Sequence, residues 1–263
     1  MNIFIMSAII LVIAVTMAMV GKGGGNFFVI AMVLAGVAMH KAASTSQAIM
    51  LGTSVAAMLV FSKNKKVDWK LALIIDPATD IMAFVGGYFA GRIEGNTLKI
   101  IFAIILILVS IFMLIKVKEK PRIEKHGFGY WNREFNGHKY TVNLWVTLPL
   151  TALVGLFAGA VGISGGAFKI PLMVLLCGIP MEIAIGTSSA MVAVTALMGL
   201  LGHSINGSFD LKFALPLIFV AIIGGIIGGK LAVKNKPKNL KIVFALTNLV
   251  AGIIMVINII TLM

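Results

Sequence analysis

Apolar residues occur in long runs along the chain, separated by short polar breaks. Several runs reach the roughly 20 residues that a helix needs to cross a hydrocarbon core about 30 Å thick. Runs 26–39 and 167–179 are shorter, and as helices they would extend only about 20 Å. They cannot span a membrane alone, so the chain is expected to turn within the membrane beside each of them. The ten runs are 3–20, 26–39, 46–61, 71–91, 98–115, 143–161, 167–179, 187–202, 211–229 and 240–262.

The second half of the chain repeats the first at an offset of 142 residues. Thr45 and Ser46 correspond to Thr187 and Ser188. Apolar composition does not readily produce polar and glycine matches by chance, so an internal duplication is expected. Further identical pairs are Gly36 and Gly178, Asp68 and Asp210, Lys70 and Lys212, Gly86 and Gly228, and Gly87 and Gly229.

The positions of lysine and arginine predict that the two halves are inverted. If every run crosses once, each half has five crossings, and the halves lie upside down to each other. Lys22, the loops 62–70 and 230–241 and the linker 116–141 then place 17 basic residues on one side, against 5 on the other. The positive-inside rule assigns the basic side to the cytoplasm and both termini to the outside. If the short runs did not cross, the basic loops would divide almost evenly between the two faces.

The composition restricts the class of protein. Hydrophobic residues make up 60% of the chain and charged residues 12%, whereas soluble domains have about 45–50% and about 25%. This excludes a secreted disulfide scaffold, a disordered chain and an ordinary cytosolic enzyme; Cys177 has no second cysteine to pair with. A cytoplasmic face beside anionic lipid explains most of the net charge of +13, and nucleic-acid binding is not expected. Residues 1–20 have no basic segment or small-residue cleavage site and are interpreted as a retained membrane helix.

Two glycine-rich breaks are the first candidate binding elements. They read G-K-G-G-G-N at 21–26 and G-I-S-G-G-A at 162–167, related by an offset of 141. Glycines let a backbone approach a ligand closely and leave its amides free to face the ligand. Close packing between membrane helices is the alternative explanation. The candidate residues are Gly23, Gly24, Gly25, Asn26, Gly165 and Gly166.

Hydroxyl residues form the second pair of breaks, S-T-S-Q at 44–47 and G-T-S-S at 186–189. Each follows a short run and precedes a longer one, so N-caps of the longer helices are expected there. In an inverted arrangement, two helix N-termini would then face a common site near the midplane. Such N-termini carry partial positive charge and unpaired N–H donors, and so form an anion site. Thr45, Ser46, Thr187 and Ser188 are the candidate ligands; capping alone remains the alternative.

These motifs resemble the duplicated signature of the TauE/SafE family of sulfite exporters, in which a Gly-rich turn precedes a short apolar run, a Gly-[VI]-Pro turn and Ala-x-Gly-Thr-Ser. The first half departs from it, since Ala38 replaces the turn proline and Ser44 the glycine before Thr45. The resemblance covers essentially the whole chain. It implies an exporter or permease for small sulfur-containing anions such as sulfite, sulfonates or sulfoacetate. The matching residues of the second half are Gly162, Gly165, Gly166, Pro171, Gly178, Pro180, Ala184, Gly186, Thr187 and Ser188.

Asp76 and Asp80 are acidic residues within an apolar run, four residues apart on one helix face. Their repeat counterparts are Ile218 and Ile222, so the duplication is broken here. Asp80 is expected near the middle of the membrane. Acids in such a place are functional candidates by default, and proton coupling of transport is the favoured role. A structural hydrogen bond or an ion pair, with Lys22 or Lys70 as the expected partner, is the alternative, and a cation site is a third.

The sequence therefore predicts an all-α polytopic membrane protein built from two inverted repeats, with short broken helices meeting near the midplane. The first repeat is 1–115, the basic cytoplasmic linker is 116–141 and the second repeat is 142–263. We expect a secondary transporter of the plasma membrane, not an enzyme, whose partners are a small-molecule anion and membrane lipid. No cofactor or metal is expected, and an oligomer remains open. The alternatives are a cation-binding transporter that uses the two acids, and a non-transporting scaffold or receptor that docks a partner through the linker.

Overall fold

A computed structural model describes residues 3–94, 127–162, 165–205, 207 and 209–236, together with scattered residues within 97–104 and 239–257. The predicted runs 98–115 and 240–262 lie mostly outside the described residues, as does linker segment 116–126. The helices are α1 (Ile3–Met19), α2 (Gly25–Leu34), α3 (Met39–Lys63), α4 (Trp69–Ala90), α5 (Leu144–Val161), α6 (Gly166–Pro171), α7 (Met181–Ile205) and α8 (Leu211–Lys234). Residues Leu172–Leu176 continue α6 as a π-helical turn. Strands β1 (Tyr130–Phe135) and β2 (His138–Asn143) form an antiparallel hairpin.

Among the described residues, five helices are long and apolar enough to span a membrane: α3, α4, α5, α7 and α8. Helices α1 and α2 are also apolar but shorter. Large apolar side chains point outward from several helices, for example Phe4 at 78%, Leu73 at 72% and Phe219 at 68% exposed. A protein in water rarely exposes this much apolar surface, whereas lipid chains can cover such surface without a free-energy penalty. The chain is a multi-pass, mainly helical membrane protein.

Glycines bring the long helices into backbone contact. On α5, a Cβ at Gly155 would lie 2.1 Å from Thr79 O of α4, and one at Gly159 would lie 2.0 Å from Ala83 O. Both contact positions advance by four residues, so α4 and α5 pack in parallel. Helix α8 uses glycines in the same way against α1, where Gly228 lies against Val15 O. Small residues at such crossings are usual in membranes, because packing and not water exclusion holds the helices together.

Each longer helix of one half contacts a helix of the other. Helix α4 packs on α5 and α7, whereas α8 packs on α1 and α3. Helices α3 and α7 also contact each other. Gln47 in the first half of α3 lies against Gly199 in the second half of α7, and Lys66, just beyond the end of α3, pairs with Glu182 at the start of α7. These two helices are therefore antiparallel, and they form the centre of the fold.

The hairpin differs from the polar connection that the linker 116–141 was expected to form. Its strands pair from Tyr130 with Asn143 to Phe135 with His138. The turn carries Asn136 and Gly137 at positive φ, which is the turn chemistry that tight hairpins require. Strand β2 also runs across the predicted boundary between linker and second repeat. The many charges of this stretch indicated a linker, but the residues on both sides of the Asn-Gly pair also alternate as those of β-strands do.

Candidate functional site

The two glycine loops meet at the centre of the molecule. A Cβ at Gly23 would touch Met50 on α3 and Val192 on α7, and each is the twelfth residue of its 25-residue helix. Gly166 of the second loop lies against the first loop, 2.9 Å from Gly21 O and 3.0 Å from Lys22 Cα when a Cβ is built on it. The candidate glycines therefore bring two stretches of polar backbone together between α3 and α7. Residues 163 and 164 of the second loop lie outside the described residues.

Hydroxyl groups of each half hold the glycine loop of the other half. Ser188 Oγ donates to Gly21 O at 2.9 Å. Ser46 Oγ lies 3.0 Å from Gly162 O and 2.8 Å from Gly25 O. The two contacts correspond under the repeat, since Ser46 matches Ser188 and Gly162 matches Gly21. Both serines are buried, and their protons are used to position backbone carbonyls.

The predicted N-caps are wrong. Helix α3 begins at Met39 and α7 at Met181, so Thr45 and Thr187 are each the seventh residue of a continuous helix. Thr187 Oγ1 accepts a hydrogen bond from the backbone N–H of Asp68 at 3.0 Å. Thr45 Oγ1 is buried and has no hydrogen-bond partner among the described residues. The helix starts were placed at the Thr-Ser pairs because hydroxyl residues are common N-caps. The sequence does not show that these hydroxyls lie within a helix and bond to other elements.

Asn26 is the most unusual polar group of the first loop. It is 1% exposed, and neither Nδ2 nor Oδ1 has a hydrogen-bond partner within the described part of the chain. Helix α2 begins beside it at Gly25, and its N-cap residue Gly24 is left-handed at φ 94° and provides no side-chain cap. The two helix amides that follow Asn26 donate to Gly24 O, which leaves the amides of Gly25 and Asn26 as first-turn donors without an acceptor within the helix. Lys22, in the same loop, is fully buried. A buried amide, uncapped helix amides and a nearby ammonium are the donors that recognise an anion.

Asp76 and Asp80 lie in a buried polar cluster on the side of α4 that faces α6 and α7. Lys169 Nζ of α6 forms an ion pair with Asp76 Oδ1. The same ammonium lies 2.7 Å from Thr195 Oγ1 of α7, and that hydroxyl lies 2.8 Å from Asp80 Oδ1. Asp80 is the twelfth of the 22 residues of α4. The two acids and the lysine thus form one connected cluster.

The lysine in this cluster was not foreseen. Lys22 and Lys70 were the expected partners of the acids, whereas Asp76 pairs with Lys169 and Lys70 is exposed. Lys169 is the only charged residue in the apolar run 167–179. A lone charge in an apolar run is itself a signal for a buried partner. Thr195 had a weaker signal, because it matches Thr53 under the repeat.

The corresponding interface in the other half is apolar. Ile218 and Ile222 of α8, which replace the two acids, lie against Gly52 of α3. They line a mainly apolar cavity of about 770 Å³ along α3 and α8. Among the described residues, the polar cluster therefore occurs at the interface of α4 with α6 and α7 and has no counterpart between α3 and α8.

The hairpin reaches the site through Asp68, the residue that caps α4. The Asp68 carboxylate accepts hydrogen bonds from Arg133 Nε at 3.0 Å, from Tyr140 Oη and from the backbone N–H of Leu71. Burial opposes the charged form of Asp68, but these bonds outweigh it and hold the pKa of Asp68 below its usual value. Because the Asp68 N–H donates to Thr187, the hairpin, the start of α4 and the Thr-Ser segment of α7 are directly connected.

Arg133→Met is expected to lower the thermal stability of the purified protein at neutral pH. It removes charged hydrogen bonds to Asp68, which are worth about 1.5–3 kcal/mol each at most. Because the folded pKa of Asp68 is lowered, this contribution is present above the unfolded pKa of about 3.9 and is lost as pH falls through the folded value. In detergent, the melting temperature of the variant should be lower than that of the wild type, and this difference should become smaller at acidic pH.

Glu134→Gln is the control for this prediction, since Glu134 is the adjacent exposed residue of the same strand. It should melt like wild type. A difference for Arg133→Met that persists unchanged in acid would contradict the assignment to Asp68.

The fold and the site define the class of the protein. Membrane-length helices surround two central loops with buried polar groups, which is the general plan of a membrane transporter. A family model described as "Sulfite exporter TauE/SafE" matches residues 6–255, and the chain belongs to this family.

Several curated proteins are similar over most of their length. "Probable membrane transporter protein YunE" of Bacillus subtilis (strain 168) is 27% identical, covering 94% of this chain and 96% of that protein. "Probable membrane transporter protein YdhB" of the same strain is 23% identical, covering 94% and 97%. A "Probable membrane transporter protein" of Xylella fastidiosa (strain 9a5c) is 24% identical, covering 81% and 78%. No solved structure matches the chain significantly.

Proposed function

We propose that this protein is a secondary transporter of the plasma membrane that exports a small sulfur-containing anion, such as sulfite, a sulfonate or a sulfoacetate-like anion. The family description supports the substrate class. The observation that carries the proposal is Asn26, a buried amide without a hydrogen-bond partner in the described chain, beside the uncapped start of α2. An unmade buried hydrogen bond costs about 1–3 kcal/mol. A ligand that fills the site would recover this cost.

The proposed architecture is a pair of inverted repeats with both termini outside and the linker hairpin in the cytoplasm. Two observations support it. Helices α3 and α7 are repeat counterparts and run antiparallel, as judged by the contacts of Gln47 with Gly199 and of Lys66 with Glu182. The serine contacts to the opposite glycine loops also correspond between the halves. In an arrangement of this kind, the substrate binds where the repeats meet.

The proposed anion site contains both glycine loops and the hydroxyls beside them. The backbone of Gly23–Gly25 and Asn26 supplies donors from one half, and Gly165 and Gly166 supply donors from the other. Thr45 provides a hydroxyl that has no hydrogen-bond partner among the described residues, and Thr187 lies at the corresponding position of the second half. Ser46 and Ser188 shape the site by holding the loop carbonyls.

Asp76 and Asp80 are the proposed coupling residues. Their burial and their connection through Lys169 and Thr195 support a proton-coupled cycle. Lys169 lies at the Asp76 oxygen, where a metal cation would otherwise bind, so the geometry favours proton coupling over a cation site. Repulsion between the Lys169 ammonium and a metal cation prevents both from binding to Asp76 at the same time.

Asn26→Ala is expected to raise the KM for anion transport about ten- to hundredfold, the equivalent of a charged hydrogen bond of about 1.5–3 kcal/mol. Its thermal stability should be unchanged or higher, because the variant removes a buried amide that has no hydrogen-bond partner in the described part of the chain. Alanine stands at the corresponding position 167 of the second half. The measurement is uptake of radiolabelled sulfite and of a labelled sulfonate into proteoliposomes, together with melting of the same preparations.

Asn64→Ala is the matched control, since Asn64 is an exposed amide at the end of α3. It should transport normally. The combined variant Thr45→Val and Thr187→Val extends the test to the hydroxyls. Normal transport by both Asn26→Ala and the threonine variant would rule out the proposed site, and absence of anion transport by the wild type would rule out the function.

A further inference from the structure

Lys169 lies between the proposed anion site and the two acids. Its side chain is 1% exposed, and its ammonium contacts Asp76 and Thr195. The same side chain lies against the second glycine loop: a Cβ at Gly165 would be 3.2 Å from Lys169 Cε and 3.7 Å from Nζ. An anion bound at the loop and the carboxylate of Asp76 would therefore both lie near the same ammonium.

Among the described residues, the carboxyl groups beside Lys169 outnumber its single ammonium. Helix α4 brings two carboxyl groups, Asp76 and Asp80, and α6 brings one ammonium. Helix α7 brings the hydroxyl of Thr195, whereas its titratable residues Glu182 and His203 contact Lys66 and Gly159 O. Helix α5 has no titratable side chain in its sequence. Lys22 is buried in the first loop, which touches the second at Gly166. Buried charges without a partner are costly, so an arriving anion competes with the acids for the available positive charge.

We propose that Lys169 is exchanged between Asp76 and the transported anion, so that anion binding and proton uptake by the acid pair occur together. This inference rests on the proposed anion site at the glycine loops. When the anion takes the ammonium, Asp76 loses its counter-charge and takes a proton from the solution to which the site is open. Lys169 keeps its own proton throughout and moves only between hydrogen-bond acceptors. Release of the anion returns the ammonium to Asp76 and the proton to solution.

This mechanism makes the anion and one proton move in the same direction. For a divalent anion such as sulfite, one net negative charge then crosses the membrane. A potential that is negative inside favours its outward movement. Export is consequently compatible with a shared proton, and the carboxyl pair has a role that its apolar counterpart, Ile218 and Ile222, cannot fulfil.

The test compares the wild type with the variant that combines Lys169→Met and Asp76→Asn. Removing one charge of each sign leaves the net charge of the cluster unchanged, so this variant is expected to fold. Binding of methanesulfonate, an anion that does not titrate near neutral pH, is measured by calorimetry in two buffers with different heats of ionisation. The wild type should take up about one proton per anion, and its affinity should fall by up to about tenfold per pH unit. The paired variant should bind more weakly, with no proton uptake and a flat pH profile.

Lys169→Arg provides a second comparison, because it keeps the charge and the reach of the side chain. It should retain the proton uptake of the wild type. Wild-type binding without proton uptake, or the same pH profile in the paired variant, would overturn the exchange and leave the proposed anion transport standing. If the wild type bound neither methanesulfonate nor sulfite, the anion site itself would be refuted, and the exchange with it.

Discussion

Gly159→Ala is expected to destabilise the protein by about 3 kcal/mol or more, at the upper end of the cost of overpacking a core. The new methyl group would lie 2.0 Å from Ala83 O. The backbone of α4 cannot yield as a flexible side chain can, so α4 and α5 must move apart. Because α4 carries Asp76 and Asp80, this variant should also impair transport in any fraction that folds. Thermal melts and the yield of monodisperse protein in detergent measure the effect.

Gly229→Ala is the matched control for this result. Gly229 is also a helical glycine at a crossing, but a Cβ there would lie 3.1 Å from the Val60 side chain and 3.5 Å from Ala57 Cα, without the severe backbone overlap of Gly159. The intrinsic gain from alanine in a helix is about 1 kcal/mol, so this variant should be close to wild type. Equal stability of the two variants would show that Gly159 of α5 does not lie against the backbone of α4 at Ala83.

Lys169→Met alone is expected to cost about 3–5 kcal/mol, the usual effect of leaving one member of a buried ion pair unpaired. The side chains of Lys169 and Asp76 are only 1% and 6% exposed. Adding Asp76→Asn should recover most of the loss, because the unpaired carboxylate is then removed. A double-mutant cycle on melting measures the coupling between the two residues.

The exposed pair of Lys41 and Asp210 provides the comparison, with side chains 42% and 43% exposed. Solvent-exposed ion pairs contribute about 0–1 kcal/mol to the free energy of unfolding, so Lys41→Met should scarcely change the melting temperature. If Lys169→Met were equally harmless, the Asp76–Lys169 pair would not be a buried ion pair, and the exchange built on it would lose its basis.

The sequence predicted the helices well where apolar length alone decides them. Runs 3–20 and 71–91 correspond closely to α1 and α4, and the two runs too short to span correspond to α2 and to α6 with its π-helical turn. The start of α3 was misplaced because the polar residues 44–47 look like the end of an apolar segment. They lie inside a helix, since Ser46 finds its acceptor on Gly162 of the other half.

The sequence pointed to some residues of the candidate site but not to the contacts between them. The glycine loops and the two acids were evident from spacing and composition. Lys169 was not connected with Asp76, because 93 residues separate them in the chain. The hairpin and its contact with Asp68 were also missed, since a contact between β-strand side chains and a helix cap leaves no periodic pattern in the sequence.

The amino-acid sequence by itself determined that the chain lies in a membrane, that motifs of its first half recur in the second and that its polar groups are concentrated at a few breaks. Hydrophobic length, glycine positions and charge are local properties, and they can be read one segment at a time. Only the tertiary structure decided which polar groups meet: Asp76 with Lys169, Ser188 with Gly21, and Asn26 with no partner in the described chain. A buried polar group is stabilised by whatever lies within hydrogen-bond distance, and in this protein those neighbours come from distant parts of the chain.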